Sequence, residues 1–252
     1  MVNKVMGADE RGIIQVDYET IPYWIRYSQR TRRLHLRVKQ KQIELVVPKN
    51  AKTPAIEAFL RTSSAWIKEQ YLKIKKHADL FWPAHFLPSE SISIEGIKKT
   101  IHVTYGHGKP QVKHLPEQLV VQIPMTTLLV NYESVIQAVL LKALKEWALE
   151  RALQSTDHFC KQLDRWPKSV RVKTQSSRWG SCGIHEDIHI NWVLILAPAF
   201  VLNYVVAHEC CHLFYRNHGV RFWDKVSRLM PDYQQAEHWL KQYGSYLAFE
   251  HK

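Results

Sequence analysis

Residues 198–223 read PAFVLNYVVAHECCHLFYRNHGVRFW, and the reading of this stretch decides the rest. Pro198 suits a first helical turn, where a missing N–H is no loss. Val201, Tyr204, Val205, His208, Cys211, His212 and Tyr215 then recur at helical spacing and share a face. From Phe200 to Tyr215 the one formally charged residue is Glu209. A carboxylate on so apolar a helix is costly unless something compensates it, and a bound cation does so.

His208, Glu209 and His212 spell H-E-x-x-H. Residues four apart on a helix stack one turn above the other, so both imidazoles reach one metal ion. Glu209, beside the first ligand, reaches a water on that metal. A catalytic zinc takes three protein ligands and keeps a fourth position open. His218 is the expected third ligand, just past the helix end. Asn217 and Gly219 both tolerate left-handed backbone, so the expected turn there brings His218 back. By chance alone H-E-x-x-H arises in roughly one such chain in twenty, and a further His at a fixed position makes that far rarer. Cys211, three residues after His208, is a geometric alternative as ligand, but using it leaves a histidine idle; packing is the expected role of Cys210 and Cys211.

A second H-E-x-x-H occurs at His185, Glu186 and His189. It leads into the alternating run Ile188-His189-Ile190-Asn191-Trp192, which reads as a strand. On a strand, residues four apart lie about 13 Å from each other, too far to share an ion. This copy is expected to be a hairpin turn.

Working outward, three strand-like runs lie within residues 12 to 47: 21–27, 34–38 and 43–47, with a turn expected at Lys39 to Gln42. They suggest an N-terminal antiparallel β-rich region. One helix is expected from Thr53 and Pro54 to about residue 76. Residues 80 to 90 read as a linker, and 91–95, 100–105 and 118–123 as short strands. A long apolar stripe from Ser134 to about Leu163 predicts a helix packed on the metal-site helix. A strand follows at 169–174, and two helices at 222–229 and 233–247. The expected division is residues 1–80 (basic sheet plus helix), 81–130 (β-rich) and 131–252 (catalytic), an α+β chain.

The net charge of +12, with Arg26, Arg30, Arg32, Arg33 and Arg37 close together, points to an anionic partner or a solvated basic face. The hydrophobic fraction of 46% and nine Trp indicate a folded protein, and no run approaches the roughly 18 apolar residues of a membrane span. No secretory signal is evident and the adjacent Cys210 and Cys211 do not suit a disulfide framework, so a cytoplasmic location is expected.

Several separated stretches resemble one family. They are RWGSC (Arg178 to Cys182), INW (Ile190 to Trp192), YVVAHECCH (Tyr204 to His212), NHGVRFW (Asn217 to Trp223) and PDY (Pro231 to Tyr233). Together with SQRTRRLHLRV (Ser28 to Val38) and PKNA (Pro48 to Ala51), they look like the bacterial YgjP-like metallopeptidase family, a zincin group similar to the SprT-like and WLM proteases. The resemblance implies a zincin-like α+β domain whose sheet edge receives substrate. It implies His208, His212 and His218 as zinc ligands, Glu209 as the catalytic carboxylate, and a peptide or protein substrate. Cys210 stands where the family usually has Leu, and Val193 where it tends to have Arg.

The leading reading is metal-assisted peptide hydrolysis, with Glu209 as general base. Arg178, Tyr204, Tyr215 and Tyr233 are alternative donors to the developing oxyanion. Two rivals use the basic N-terminal surface: a metal-dependent nucleotide phosphohydrolase, and a nucleic-acid-binding module or DNA-associated protease, with Tyr23, Trp24 and Tyr27 as stacking groups.

Overall fold

A computed structural model of the chain describes residues 10–39, 42–77, 80–83, 85–175 and 177–247. It has two units, one within residues 1–78 and one within 79–249.

In the first unit, β1 (Glu10–Val16), β2 (Glu19–Ser28), β3 (His35–Lys39) and β4 (Gln42–Pro48) form a sheet in the order β1-β2-β4-β3. Ile21 and Tyr23 point inward from β2, and Ile43, Leu45 and Val47 from β4, following the period of two that a strand imposes. Helices α1 (Thr53–Thr62) and α2 (Ser64–His77) add Leu60 and Ile67 to the same core. Two of the three strand pairings are antiparallel. The third, β2 with β4, is parallel, because the chain after Ser28 passes to the far side of β4 before β3 begins. The expected turn at residues 40 and 41 lies outside the described residues.

Two departures from expectation have local causes. Strand β1, ERGIIQV, has no apolar alternation to mark it, and its Gly12 is where the Tyr23 ring approaches too closely for a Cβ. The single expected helix is broken at Ser63, where the Thr62 hydroxyl donates to the carbonyls of Ala58 (3.2 Å) and Phe59 (3.0 Å). Such side-chain bonds compete with the helical ladder. On the basic face, Arg26 lies 3.5 Å from a Glu44 carboxylate oxygen to which Arg37 also donates.

The second unit holds β5 (Ser91–Ile94), β6 (Ile97–Gly106), β7 (Gln111–His114), β8 (Gln118–Pro124), α3 (Tyr132–Leu163), β9 (Ser169–Lys173), β10 (Gly180–Cys182), β11 (Asp187–Asn191), α4 (Ala199–Cys211), α5 (Val220–Leu229) and α6 (Tyr233–Leu247). Its sheets run β5-β6-β8-β7 and β10-β11-β9. Helix α4 is buried on nearly every side and packs on α3, α5, α6, β10 and β11, which explains why its apolar residues are not confined to one stripe. Helix α3 presents Ile136, Leu140, Leu144, Ala148, Ala152 and Phe159 at helical spacing. It meets α4 closely enough to set Cys160 Sγ 3.9 Å from Cys210 Sγ.

The first of these sheets positions the start of α4. Its β5–β6 hairpin turns on Glu95 and Gly96, both left-handed with φ of 50° and 81°, as a type I′ turn requires. A Cβ on Gly96 would stand 3.0 Å from Pro198 Cα, and the Glu95 N–H donates to Ile195 at 2.7 Å. The three-stranded sheet positions the other side. Asn191 Nδ2 donates to the carbonyls of Gln175 (2.8 Å) and Arg178 (3.2 Å), and its backbone N–H to Trp179 (2.8 Å). The loop leading into β10 is thereby fastened to β11.

Asn191→Ala removes the donor that the Gln175 and Arg178 carbonyls share, a loss of about 1 kcal/mol. Hydrogen exchange at the Ile188 and Ile190 amides is expected to quicken accordingly; unchanged protection would show that the loop is held some other way.

Candidate metal centre

Three histidines converge at the end of α4. His208 lies in its last turn and His212 caps it. His218 lies just before Gly219, the N-cap of α5. His208 Nε2 is 3.2 Å from His212 Nε2 and 3.0 Å from His218 Nε2. The ligand atoms of all three fall within 4.8 Å of one another, and no other such group of His, Cys, Asp or Glu occurs among the described residues. The left-handed turn expected at Asn217 and Gly219 is a correction: neither has positive φ, and Gly219 is extended (φ −75°, ψ −179°). The chain reverses earlier instead. Leu213 N–H bonds Cys210 and Phe214 N–H bonds Cys211, each at 3.1 Å, in tight bonds to the third residue back.

The electronic state of the rings suits a cation. Burial, then the charges of His212 and His218, push His208 down to about 3. Burial also lowers His212. Both imidazoles are therefore neutral near pH 7, with a lone pair on one nitrogen. His212 Nδ1 lies 2.8 Å from the Tyr215 carbonyl, so Nδ1 carries the hydrogen and Nε2 the lone pair. This is the outer support that metal-bound histidines ordinarily have. Tetrahedral zinc, with bonds of about 2.0–2.1 Å, spaces its nitrogens roughly 3.3 Å apart, close to the spacings here. Glu209 Oε2 is buried with no hydrogen-bond partner, an arrangement that a cation within the triad would offset. The residues fit a zinc ion.

Glu209 is 5% exposed. Burial pushes its carboxyl up to about 8, opposed by the charge of Arg178 and a hydrogen bond from the Cys182 backbone N–H. Its side chain rests on the backbone of β10: a Cβ on Gly180 would lie 2.6 Å from Glu209 Oε1 and 2.8 Å from Cγ. Arg216 binds the end of that strand to the loop carrying His218. Its Nη1 donates to the carbonyls of Gly183 (2.7 Å) and Cys182 (3.3 Å).

Behind the triad is a group of rings that spacing did not reveal. Phe222, 1% exposed, lies 4.6–4.8 Å from the ring centres of all three histidines. Trp223 stacks on His218 at 5.8 Å, Tyr233 on Trp223 at 5.4 Å, and Tyr204 on Tyr233 at 6.1 Å. The four residues considered as oxyanion donors thus separate. Tyr204 donates to Glu237 Oε1 at 2.9 Å, Tyr215 supports His212 through its carbonyl, and Tyr233 lies within the stack. Arg178 is exposed and acts on Glu209 through its charge.

Cys210 and Cys211 are fully buried. Burial pushes the Cys211 thiol up to about 12, and the hydrogen bond with Cys160 together with burial raises that of Cys210. Neither belongs to the histidine cluster, which suits packing and not ligation. Val193 is 4% exposed and belongs to the core. The second H-E-x-x-H is a turn into β11: Glu186 has φ 64° and pairs with Arg165 at 2.5 Å.

An α+β fold with H-E-x-x-H at the end of its most buried helix defines the class: a metallopeptidase domain. The family model described as YgjP-like, metallopeptidase domain matches residues 32–243, and the chain belongs to that family. No curated protein and no solved structure matches it. Among the described residues, no helix is long and apolar enough to cross a membrane.

Gly180→Ala forces the Glu209 carboxylate or β10 to move. A loss of about 1–3 kcal/mol in unfolding free energy is expected, with Glu209 displaced in a crystal structure of the variant. An unmoved Glu209 and unchanged stability would refute the contact.

Proposed function

We propose that the chain hydrolyses peptide bonds with a zinc ion held by His208, His212 and His218, and that Glu209 is the general base. The observation that carries this reading is the convergence of three imidazoles beside a buried carboxylate. Bound there, zinc supplies Lewis acidity, which brings a coordinated water toward a pKa of about 7 and polarises a carbonyl. Glu209 takes a proton at Oε2, the oxygen without a partner, and returns it to the departing amine. The Cys182 N–H holds the carboxylate in place. Arg178 is our assignment for the negative charge that develops on the carbonyl oxygen. Nucleotides and nucleic acid are less well supported as partners, since Glu44 already engages two arginines of the basic cluster.

Glu209→Gln is expected to keep its zinc while hydrolysis of casein falls by about 10²–10⁴-fold. Full activity in that variant would remove Glu209 from the mechanism. His212→Ala is expected to come through gel filtration with far less zinc than the parent. Equal metal content by emission spectrometry would mean that the ion is held elsewhere.

A further inference from the structure

Beside Glu209 lies a cavity of about 300 Å³, at the small end of ligand pockets and suited to one side chain. His208 and Glu209 form its inner end, and Trp179, Val205 and Leu240 give it apolar walls. Glu237, exposed on α6, and Tyr204 complete the lining. The Tyr204 hydroxyl donates to Glu237 Oε1 at 2.9 Å, which fixes the carboxylate at the cavity and leaves Oε2 for another donor. Among the described residues that line it are two carboxylates and no Lys or Arg, and Glu237 is the exposed one of the two.

We propose that this cavity is the specificity pocket of the site and that it takes a basic substrate side chain, lysine or arginine, with Glu237 as the residue that selects it. The inference rests on the peptidase reading above. The chemistry follows from the order of the lining. A side chain entering beside the scissile bond lays an aliphatic stem along Val205 and Leu240. Its cationic head cannot lie at the inner end, where the histidines hold a metal, so it lies outward at Glu237. The Trp179 ring adds a surface favourable to a cation. A charge-assisted hydrogen bond to a carboxylate already oriented by a tyrosine is stronger than one to a free surface glutamate. Screening over about 8 Å at physiological salt keeps the net positive charge elsewhere from cancelling this local field.

The test uses the peptides Ac-Ala-Ala-X-Ala-Ala-NH2 and Ac-Ala-X-Ala-Ala-Ala-NH2, with X lysine, arginine, norleucine or glutamate. The zinc-loaded protein is expected to show a kcat/KM at least about tenfold higher for lysine or arginine than for norleucine, whose stem is the same without the charge. Glu237→Gln is expected to bring that ratio close to one, and Glu237→Arg to shift preference toward glutamate. Binding of the same peptides to Glu209→Gln, by calorimetry, gives a second readout that requires no hydrolysis. If no peptide is cleaved but the lysine peptides bind more tightly in a Glu237-dependent manner, the peptidase reading fails and the pocket stands. If lysine and norleucine peptides are bound and cleaved alike, or Glu237→Gln leaves their ratio unchanged, the pocket assignment is wrong.

Discussion

The second unit depends on a carboxylate pressed against the backbone of a short edge strand. Glu209 is buried on α4, and its side chain touches β10 at a position where only hydrogen fits. Leaving a charged group in such a place is unfavourable unless the surroundings are fixed and a positive charge is near. Much of the neighbouring structure serves to fix them. Asn191 fastens the loop before β10, Arg216 fastens the turn after it, and the Cys182 N–H reaches the carboxylate itself. Trp179 adds a further restraint from α6, where a Cβ on Gly244 would lie 2.6 Å from its ring.

The histidines are held by different means. Among the described residues, the Tyr215 carbonyl behind His212 is the one polar group outside the triad that bonds one of these imidazoles. Rings do most of the positioning, with Phe222 against all three imidazoles and the Trp223–Tyr233–Tyr204 stack extending from His218 toward α6. Aromatic packing excludes water, so His208 and His212 are partly desolvated before any ligand arrives, while His218 stays exposed. The same desolvation lowers His208 and keeps its lone pair available near neutral pH. Tyr204 connects the two halves of the arrangement, since it touches His208 with its ring and Glu237 with its hydroxyl.

The helices were legible where periodicity was long. The stripe from Ile136 to Phe159 marked α3 to within two residues at its start, and the spacing of His208 and His212 identified α4 and the side on which the three histidines converge. The strand-like alternation after Glu186 correctly separated the turn copy of H-E-x-x-H from the helical one. Elsewhere, local pattern was too weak. The ERGIIQV run of β1 does not alternate, and the Thr62 side-chain bonds that end α1 leave no trace in apolar spacing. Gly180, Arg216 and Glu237 matter through partners more than 25 residues away in sequence, and Phe222 also reaches back past His218 to His212 and His208, where a one-dimensional pattern carries no information. Asn217 and Gly219 were misleading for a related reason. Their tolerance of left-handed backbone is real, but the tight bonds after Cys210 had already turned the chain.

The most direct measurement is anomalous diffraction across the zinc edge, on crystals grown from protein purified without chelator. One peak is predicted, bonded to Nε2 of His208, His212 and His218 at about 2.0–2.1 Å and facing the Glu209 carboxylate. A peak bound through other residues, or histidines that remain metal-free in zinc-saturated crystals, would contradict the account.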